Sequence, residues 1–166
     1  MIKKLLVLLV LCIAGAVAYD HGRTLSEADV RAYYGEQLQA YRRSDAEALC
    51  ETMAKDFSLR LVARVGGASE RSTMDKAAAC EQLKETMRLM DVVAEQSRGL
   101  LSIDVAYDIR SIRISPDRRR ATVEVTSTAK VGERLIARSR SSEELSRAFW
   151  RIRSHGGESQ AWAYGG

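Results

Sequence analysis

The stretch "VAYDIRSIRI", residues 105–114, has the pattern of a β-strand that changes phase part-way along its length. Apolar residues alternate with polar ones up to Ile109, which is typical of a strand with one buried face. The alternation then shifts by one position, so Ile112 and Ile114 continue the apolar series out of phase. One extra residue in a strand, a β-bulge, leaves this pattern and bends the strand. The sequence therefore predicts a long strand with a bulge at Arg110-Ser111.

Helical patterns precede this strand and further strands follow it. Apolar residues recur at helical spacing in three segments, and period-two alternation marks a strand at 56–65 and continues from Leu100 to the end of the chain. The helical segments are 24–41, 44–53 and 74–93. Helices segregated from a run of strands are typical of the α+β class. We expect three helices, a strand or hairpin between the second and third, and four antiparallel strands.

Turn residues divide the last four strands. "PDRRR", residues 116–120, predicts one hairpin turn, and "HGGE", residues 155–158, predicts another. Between them a strand is expected to carry Ala148, Trp150 and Ile152 on one side. The first part of that region, "SSEEL" at 141–145, is also compatible with a helix.

The first 18 residues have the organisation of a secretory signal peptide. A basic start, "MIKK", precedes an apolar run of 14 residues that ends in small residues. This run is shorter than the ~20 residues of a membrane-spanning helix. We predict cleavage after Ala18, which leaves a short segment at 19–24 and one domain at 25–166, in the periplasm or secreted. An uncleaved membrane anchor is the alternative.

Composition and charge exclude some classes of partner. The net charge of +4 would fall to +2 when the leader takes Lys3 and Lys4 with it. So mild a basic excess predicts neither nucleic-acid binding nor attachment to a membrane surface. The membrane is an expected partner only if the leader stays in place.

Two cysteines remain after the leader, Cys50 and Cys80, and both lie on predicted helices near the inward faces. An even pair in an oxidising compartment predicts a disulfide. Two separately buried thiols are the alternative. A metal site is not expected, because only His21 and His155 are available to join the cysteines, at spacings that metal sites do not use.

In its order of elements the chain resembles the nuclear transport factor 2-like superfamily (NTF2-like or SnoaL-like, with a cystatin-like cone), as a secreted bacterial member. The resemblance covers about 25–164 and rests on "IDVAYDIRSIRI" at 103–114, "SPDRRRATVEV" at 115–125 and "FWRIRSHGGESQAWAY" at 149–164. It implies three N-terminal helices packed in the concave face of a strongly bent antiparallel sheet. It also implies a pocket between them, in a superfamily of enzymes, carriers, dimerisation modules and secretion-system parts.

The two faces of the predicted strands differ in chemistry. The apolar face must be concave, since only that side packs against helices, and the outer face then holds Asp104, Asp108 and Glu124. This assignment leaves the interior without an acid or a histidine. The candidate pocket-lining residues are Tyr34, Tyr41, Tyr107, Ser127, Trp150 and Trp162.

These residues favour a binding or interaction module over an enzyme, because a general base must reach the substrate from inside the pocket. The expected partner is a small apolar ligand in the pocket or a protein, with a homodimer possible through the outer sheet face. No catalytic residue and no cofactor are predicted. Two alternatives stay open. One is a small-molecule isomerase, dehydratase or cyclase of the steroid-isomerase-like type, and the other is a membrane-anchored envelope or secretion-system assembly component.

Overall fold

The computed structural model of the chain describes residues 2–98 and 103–164, except for the side chains of 2–8 and His21. The strand start predicted at Leu100 therefore lies outside the described residues. The elements are α1 (Ile2–His21), α2 (Glu27–Arg42), α3 (Ala46–Thr52), β1 (Met53–Val65), β2 (Ala68–Asp75), α4 (Lys76–Gln96), β3 (Ile103–Ile114), β4 (Arg120–Val131), β5 (Arg134–Ala148) and β6 (Arg151–Ala163). This order confirms the predicted α+β class and the hairpin, β1–β2, between the second and third helices of the domain.

The six strands form one curved, unclosed sheet in the order β2-β1-β6-β5-β4-β3. Neighbouring strands are antiparallel except β1 and β6, which are parallel. The sequence predicted an antiparallel sheet and missed this pair. Strands β3 to β6 form an antiparallel meander, which fixes the direction of β6. The β1–β2 hairpin comes before this meander in the sequence, and its strand β1 pairs with β6.

The bulge predicted in β3 is confirmed. Ile109 lies opposite Val125, and Ser111 lies opposite Glu124, so Arg110 is the extra residue. After the bulge the alternation returns Ile112 to the side occupied by Val123, its partner on β4. Both halves of the strand therefore present their apolar residues to the helices.

The core lies between α2 and the concave face of the sheet. Val30, Tyr33 and Tyr34 of α2 are buried against inward-facing residues of β4 and β5, namely Ala121, Val123, Val125 and Leu145. Ser26 begins α2 in a capping box with Asp29, a reciprocal pair of hydrogen bonds that satisfies the first turn. A second cluster, Ala40, Leu49 and Met87, joins α2, α3 and α4.

A disulfide joins Cys50 of α3 to Cys80 of α4, as predicted. Their Cα atoms are 5.5 Å apart, and the bond closes a separation of 30 residues. Because α3 has only seven residues, too few for a stable isolated helix, the covalent link to the longest helix of the domain adds to the packing that holds it in place.

The turn predicted at "HGGE" is wrong. The chain reverses at Phe149 and Trp150, whose φ angles of 49° and 69° lie in the left-handed region that tight hairpins use. Gly156 lies inside β6, at a φ of 83°. A Cβ atom there would stand 2.1 Å from the carbonyl oxygen of Ser58 on β1. The absence of a side chain at Gly156 therefore allows β6 to approach β1 closely. At this position the registers of β6 with β1 and with β5 both shift.

Within the part of the chain that the structure describes, no helix is both long and apolar enough to cross a membrane. Residues 2–18 of the predicted leader belong to α1, and cleavage of the leader stays a prediction.

Candidate ligand-binding site

A cavity of about 280 Å³ lies between the helices and the concave face of the sheet. Its volume is just below the ~300–1,000 Å³ found for ligand pockets. The wall combines aromatic and aliphatic side chains with a strip of hydroxyl groups and one carboxyl group. The lining residues are Tyr33, Tyr34, Gln37, Tyr41, Leu49, Thr52, Met53, Phe57, Leu59, Leu83, Tyr107, Val125, Ser127, Ser139, Ser141, Ser142, Glu143, Ser154, Gly156 and Ser159.

The carboxyl group belongs to Glu143 on β5. Alternation along β5 turns Glu143 inward with Leu145, opposite Val123 on β4. The hydroxyl of Tyr34, on α2, donates a hydrogen bond to Oε2 of Glu143. A helix and a strand far apart in sequence thus place a donor and an acid together at the cavity wall.

Burial raises the pKa of Glu143, because protein groups surround the carboxylate in place of water. Hydrogen bonds from Ser154 and Tyr34 oppose this rise without cancelling it. Burial also raises the pKa of Tyr107 to about 12, with the charge of Glu143 a lesser cause. The pKa values of Tyr33 and Tyr34 are raised for the same two reasons, so these phenols stay neutral.

Serine hydroxyl groups form two hydrogen-bonded pairs along the cavity side of β5. The Oγ atoms of Ser127 and Ser139 are 2.7 Å apart, and Ser141 donates to Ser159 over 2.9 Å. Each pair spans neighbouring strands on the cavity side of the sheet. The pairs satisfy one another and leave hydroxyl oxygens that can still accept a hydrogen bond from a ligand.

Solved structures place the chain among known folds, although no protein-family model and no curated protein matches its sequence. The protein Aln2 from a Streptomyces species has a TM-score of 0.54 at 14% identity, covering 82% of this chain and 93% of that one. An NTF2-like protein of unknown function from Pseudomonas putida has a TM-score of 0.52 at 13% identity, covering 81% and 84%. One from Silicibacter pomeroyi has a TM-score of 0.50 at 12% identity, covering 81% and 93%.

The chain has the NTF2-like fold. Identities this low establish the architecture alone, and they transfer no ligand and no activity.

Four of the candidate residues line that cavity: Tyr34, Tyr41, Tyr107 and Ser127. The two tryptophans do not line it. Trp150 is 55% exposed at the β5–β6 turn, with the Arg147 guanidinium 5.6 Å from its ring centre. Trp162 lies on the outer face of the sheet, with the Arg64 guanidinium at the same distance from its ring. Trp150 is exposed because the chain turns at Phe149-Trp150, whereas the sequence pattern placed Trp150 within a strand.

The prediction that the interior holds no acid is wrong, because Glu143 faces the cavity. The sequence did not reveal this inward acid, because "SSEEL" at 141–145 is compatible with either a strand or a helix. In a strand the adjacent pair Glu143-Glu144 must place one carboxylate on each face. The buried Leu145 marks which face is inward, so a β reading of this segment would have identified Glu143.

The outer face of the sheet carries the carboxylates expected there, and Asp104, Asp108 and Glu124 are exposed. His155, expected in a turn, is instead part of β6. Its Nε2 lies 2.7 Å from Ser146 Oγ and its Nδ1 lies 2.8 Å from Asp56 Oδ1. These contacts fasten β1 and β5 to β6 on the side away from the cavity. Among the described residues, no group of His, Cys, Asp and Glu is arranged to hold a metal ion.

Proposed function

We propose that the domain binds a small molecule in its cavity, held by Glu143 and Tyr34 at one wall and by apolar side chains around the rest. The observation that carries this proposal is a single carboxyl group inside an otherwise uncharged, mainly apolar space. Desolvating a carboxylate costs folding free energy, and groups with perturbed pKa values in cavities are concentrated at functional sites. A few directed polar groups in an apolar pocket are the usual makeup of a ligand site.

The test is a screen of small neutral and charged fragments by ligand-observed NMR against the purified protein. Glu143→Gln is the variant, and Glu144→Gln, at the exposed neighbouring position, is the matched control. We expect fragments that bind wild type and Glu144→Gln alike and bind Glu143→Gln differently. No binding to wild type, or binding that Glu143→Gln leaves unchanged, would overturn the proposal.

A second candidate function is proton transfer by an isomerase or dehydratase of the steroid-isomerase-like type. The raised pKa of Glu143 favours it, because a general base works best with a pKa near the working pH. Hydrogen–deuterium exchange of the α-protons of cyclohexanone in D₂O measures this ability without knowledge of the substrate. Catalysis predicts exchange about 10²–10⁴-fold faster with wild type than with Glu143→Gln. Equal rates would leave binding as the function.

The disulfide and the leader pattern support an extracytoplasmic location, periplasmic or secreted, as part of the proposal. Pairing of two copies through the outer sheet face also stays a proposal, as does the alternative of an anchored assembly component of the envelope. Neither proposal changes the residues that line the cavity.

A further inference from the structure

The cavity concentrates aromatic rings and excludes positive charge. Five of the chain's ten aromatic side chains line it: Tyr33, Tyr34, Tyr41, Phe57 and Tyr107. Among the described residues that line it, Glu143 alone carries a charge. The whole chain contains 26 lysines and arginines and 22 acidic residues. The cavity wall, with one acidic residue and no lysine or arginine, therefore has the opposite balance of charge.

The rings nearest Glu143 meet edge to face. The ring centres of Tyr33 and Tyr34 are 5.4 Å apart with planes at 81°, and those of Tyr34 and Tyr107 are 5.9 Å apart at 66°. All three of these rings line the cavity, so parts of their surfaces are available to a ligand. Each face carries the negative end of the ring quadrupole, which attracts a cation.

We propose that the ligand of this cavity is a small organic cation, an amine or quaternary ammonium group on a short apolar body, with its charge between Glu143 and the tyrosine rings. This inference rests on the proposed function, since it requires the cavity to be a ligand site. An anion would meet the carboxylate with no lysine, arginine or histidine in the described wall to balance it. A neutral ligand would leave the carboxylate without a counter-charge in the described wall.

The serine pair beside Glu143 adds a second requirement. Ser141 lies two residues from Glu143 on β5, so the two side chains share a face about 6.6 Å apart along the strand. Its hydroxyl is bonded to Ser159 at 2.9 Å, and both residues line the cavity. A cation seated at Glu143 can therefore reach this pair with a hydroxyl or carbonyl group on a short spacer.

Binding of a cation should release a proton. Burial raises the pKa of Glu143 in the free protein, and a cation beside the carboxylate lowers that pKa again. The groups that face Glu143 are Tyr33 and Tyr34 from α2, Tyr107 from β3 and Ser154 from β6. Tyrosines with raised pKa values and a serine do not titrate in the carboxyl range, so the released proton comes from Glu143.

Isothermal titration calorimetry with choline and 3,3-dimethylbutan-1-ol separates charge from shape, because the alcohol replaces the charged nitrogen by carbon. We expect choline to bind the purified protein at least about tenfold more tightly. We also expect its binding enthalpy to vary with the ionisation enthalpy of the buffer near the Glu143 midpoint, and that of the alcohol to stay constant.

Two variants and a control assign the preference to the cavity. Glu143→Gln should abolish the preference for choline, Tyr107→Leu should weaken choline binding more than alcohol binding, and Glu144→Gln should change neither. Equal affinities for the two compounds, a preference that survives Glu143→Gln, or no binding of choline would each overturn the inference. The fragment screen decides separately whether the cavity binds small molecules at all.

Discussion

At the scale of single residues, Glu143 and Glu144 have the same side chain and opposite environments. Glu143 lines the cavity and is bonded to Tyr34, whereas Glu144 is exposed on the outer face. The sequence predicts that neighbours in a strand face opposite ways, but it does not show which strand neighbours enclose a cavity. Tyr34, Tyr41 and Tyr107 were predictable because large aromatic residues mark an apolar face. An inward acid breaks that pattern and is visible only in the assembled sheet.

Glu143→Gln should stabilise the protein at neutral pH. A carboxyl whose folded pKa is raised contributes stability that is fully present below its unfolded pKa of 4.5 and is lost as the pH rises through the folded pKa. Gln does not ionise, so the variant should gain about 1.4 kcal/mol for each pH unit by which the folded pKa exceeds 4.5. Urea denaturation of both proteins below pH 4.5 and at about pH 8 measures this.

Glu144→Gln is the control for that series, and its unfolding free energy should stay within about 0.5 kcal/mol of wild type at both pH values. A Glu143→Gln variant that is no more stable than wild type at the higher pH would contradict the burial of the carboxylate.

At the scale of elements, local pattern predicted the bulge in β3 and missed the turn between β5 and β6. The bulge shifts an alternation that runs along one strand, so it can be seen in the residues of that strand. The turn at Phe149-Trp150 uses two bulky residues at positive φ, which no turn rule favours. The glycines that suggested a turn at 156–157 are required by a neighbouring strand, and no local pattern reports that requirement.

Gly156→Ala should destabilise the fold by more than about 2 kcal/mol, because the added methyl group collides with the Ser58 carbonyl at a φ of 83°. Gly132→Ala is the matched control, with a φ of 57° and nothing within 4 Å of the new Cβ atom. It should lose about 1–2 kcal/mol, the cost of the left-handed backbone alone. Thermal and urea unfolding compare the two variants, and equal losses would contradict the close approach of β1 to β6.

Removal of the disulfide, by Cys50→Ala with Cys80→Ala, should lower the unfolding free energy by about 3–4 kcal/mol, because the bond restricts a 30-residue loop in the unfolded chain. Cys12→Ala, at the free and exposed cysteine, should leave it unchanged in a chain that keeps its leader. Equilibrium denaturation in urea measures both, and a double variant as stable as wild type would show that α3 needs no covalent link to α4.

At the scale of the whole molecule, the α+β class followed from the segregation of helices and strands along the chain. The parallel contact of β1 with β6 did not, because it pairs the first strand with the last and depends on how the completed meander curves. The cavity is a product of the same closure, since its wall draws on every helix and strand from α2 to β6 except β2. A site assembled from so many elements has no compact sequence motif.

The mature protein should begin at Tyr19. Expression with the leader, recovery from the cell envelope and intact mass measurement under denaturing conditions should give a chain without its first 18 residues. The mass should also be lower by the two hydrogens that one disulfide removes. A full-length mass would favour the membrane-anchored alternative, and free thiols would contradict an oxidising location.

The most direct test of the whole account is a pH titration of the Glu143 side-chain carboxyl carbon by ¹³C NMR, assigned by its absence in Glu143→Gln. We predict a midpoint above the ordinary value of 4.5, raised by burial at the cavity wall. Tyr34→Phe should raise it further, since the lost hydrogen bond opposes the rise. A midpoint at or below 4.5 would mean a solvated carboxylate, and it would contradict the desolvated carboxyl group on which the proposed function depends.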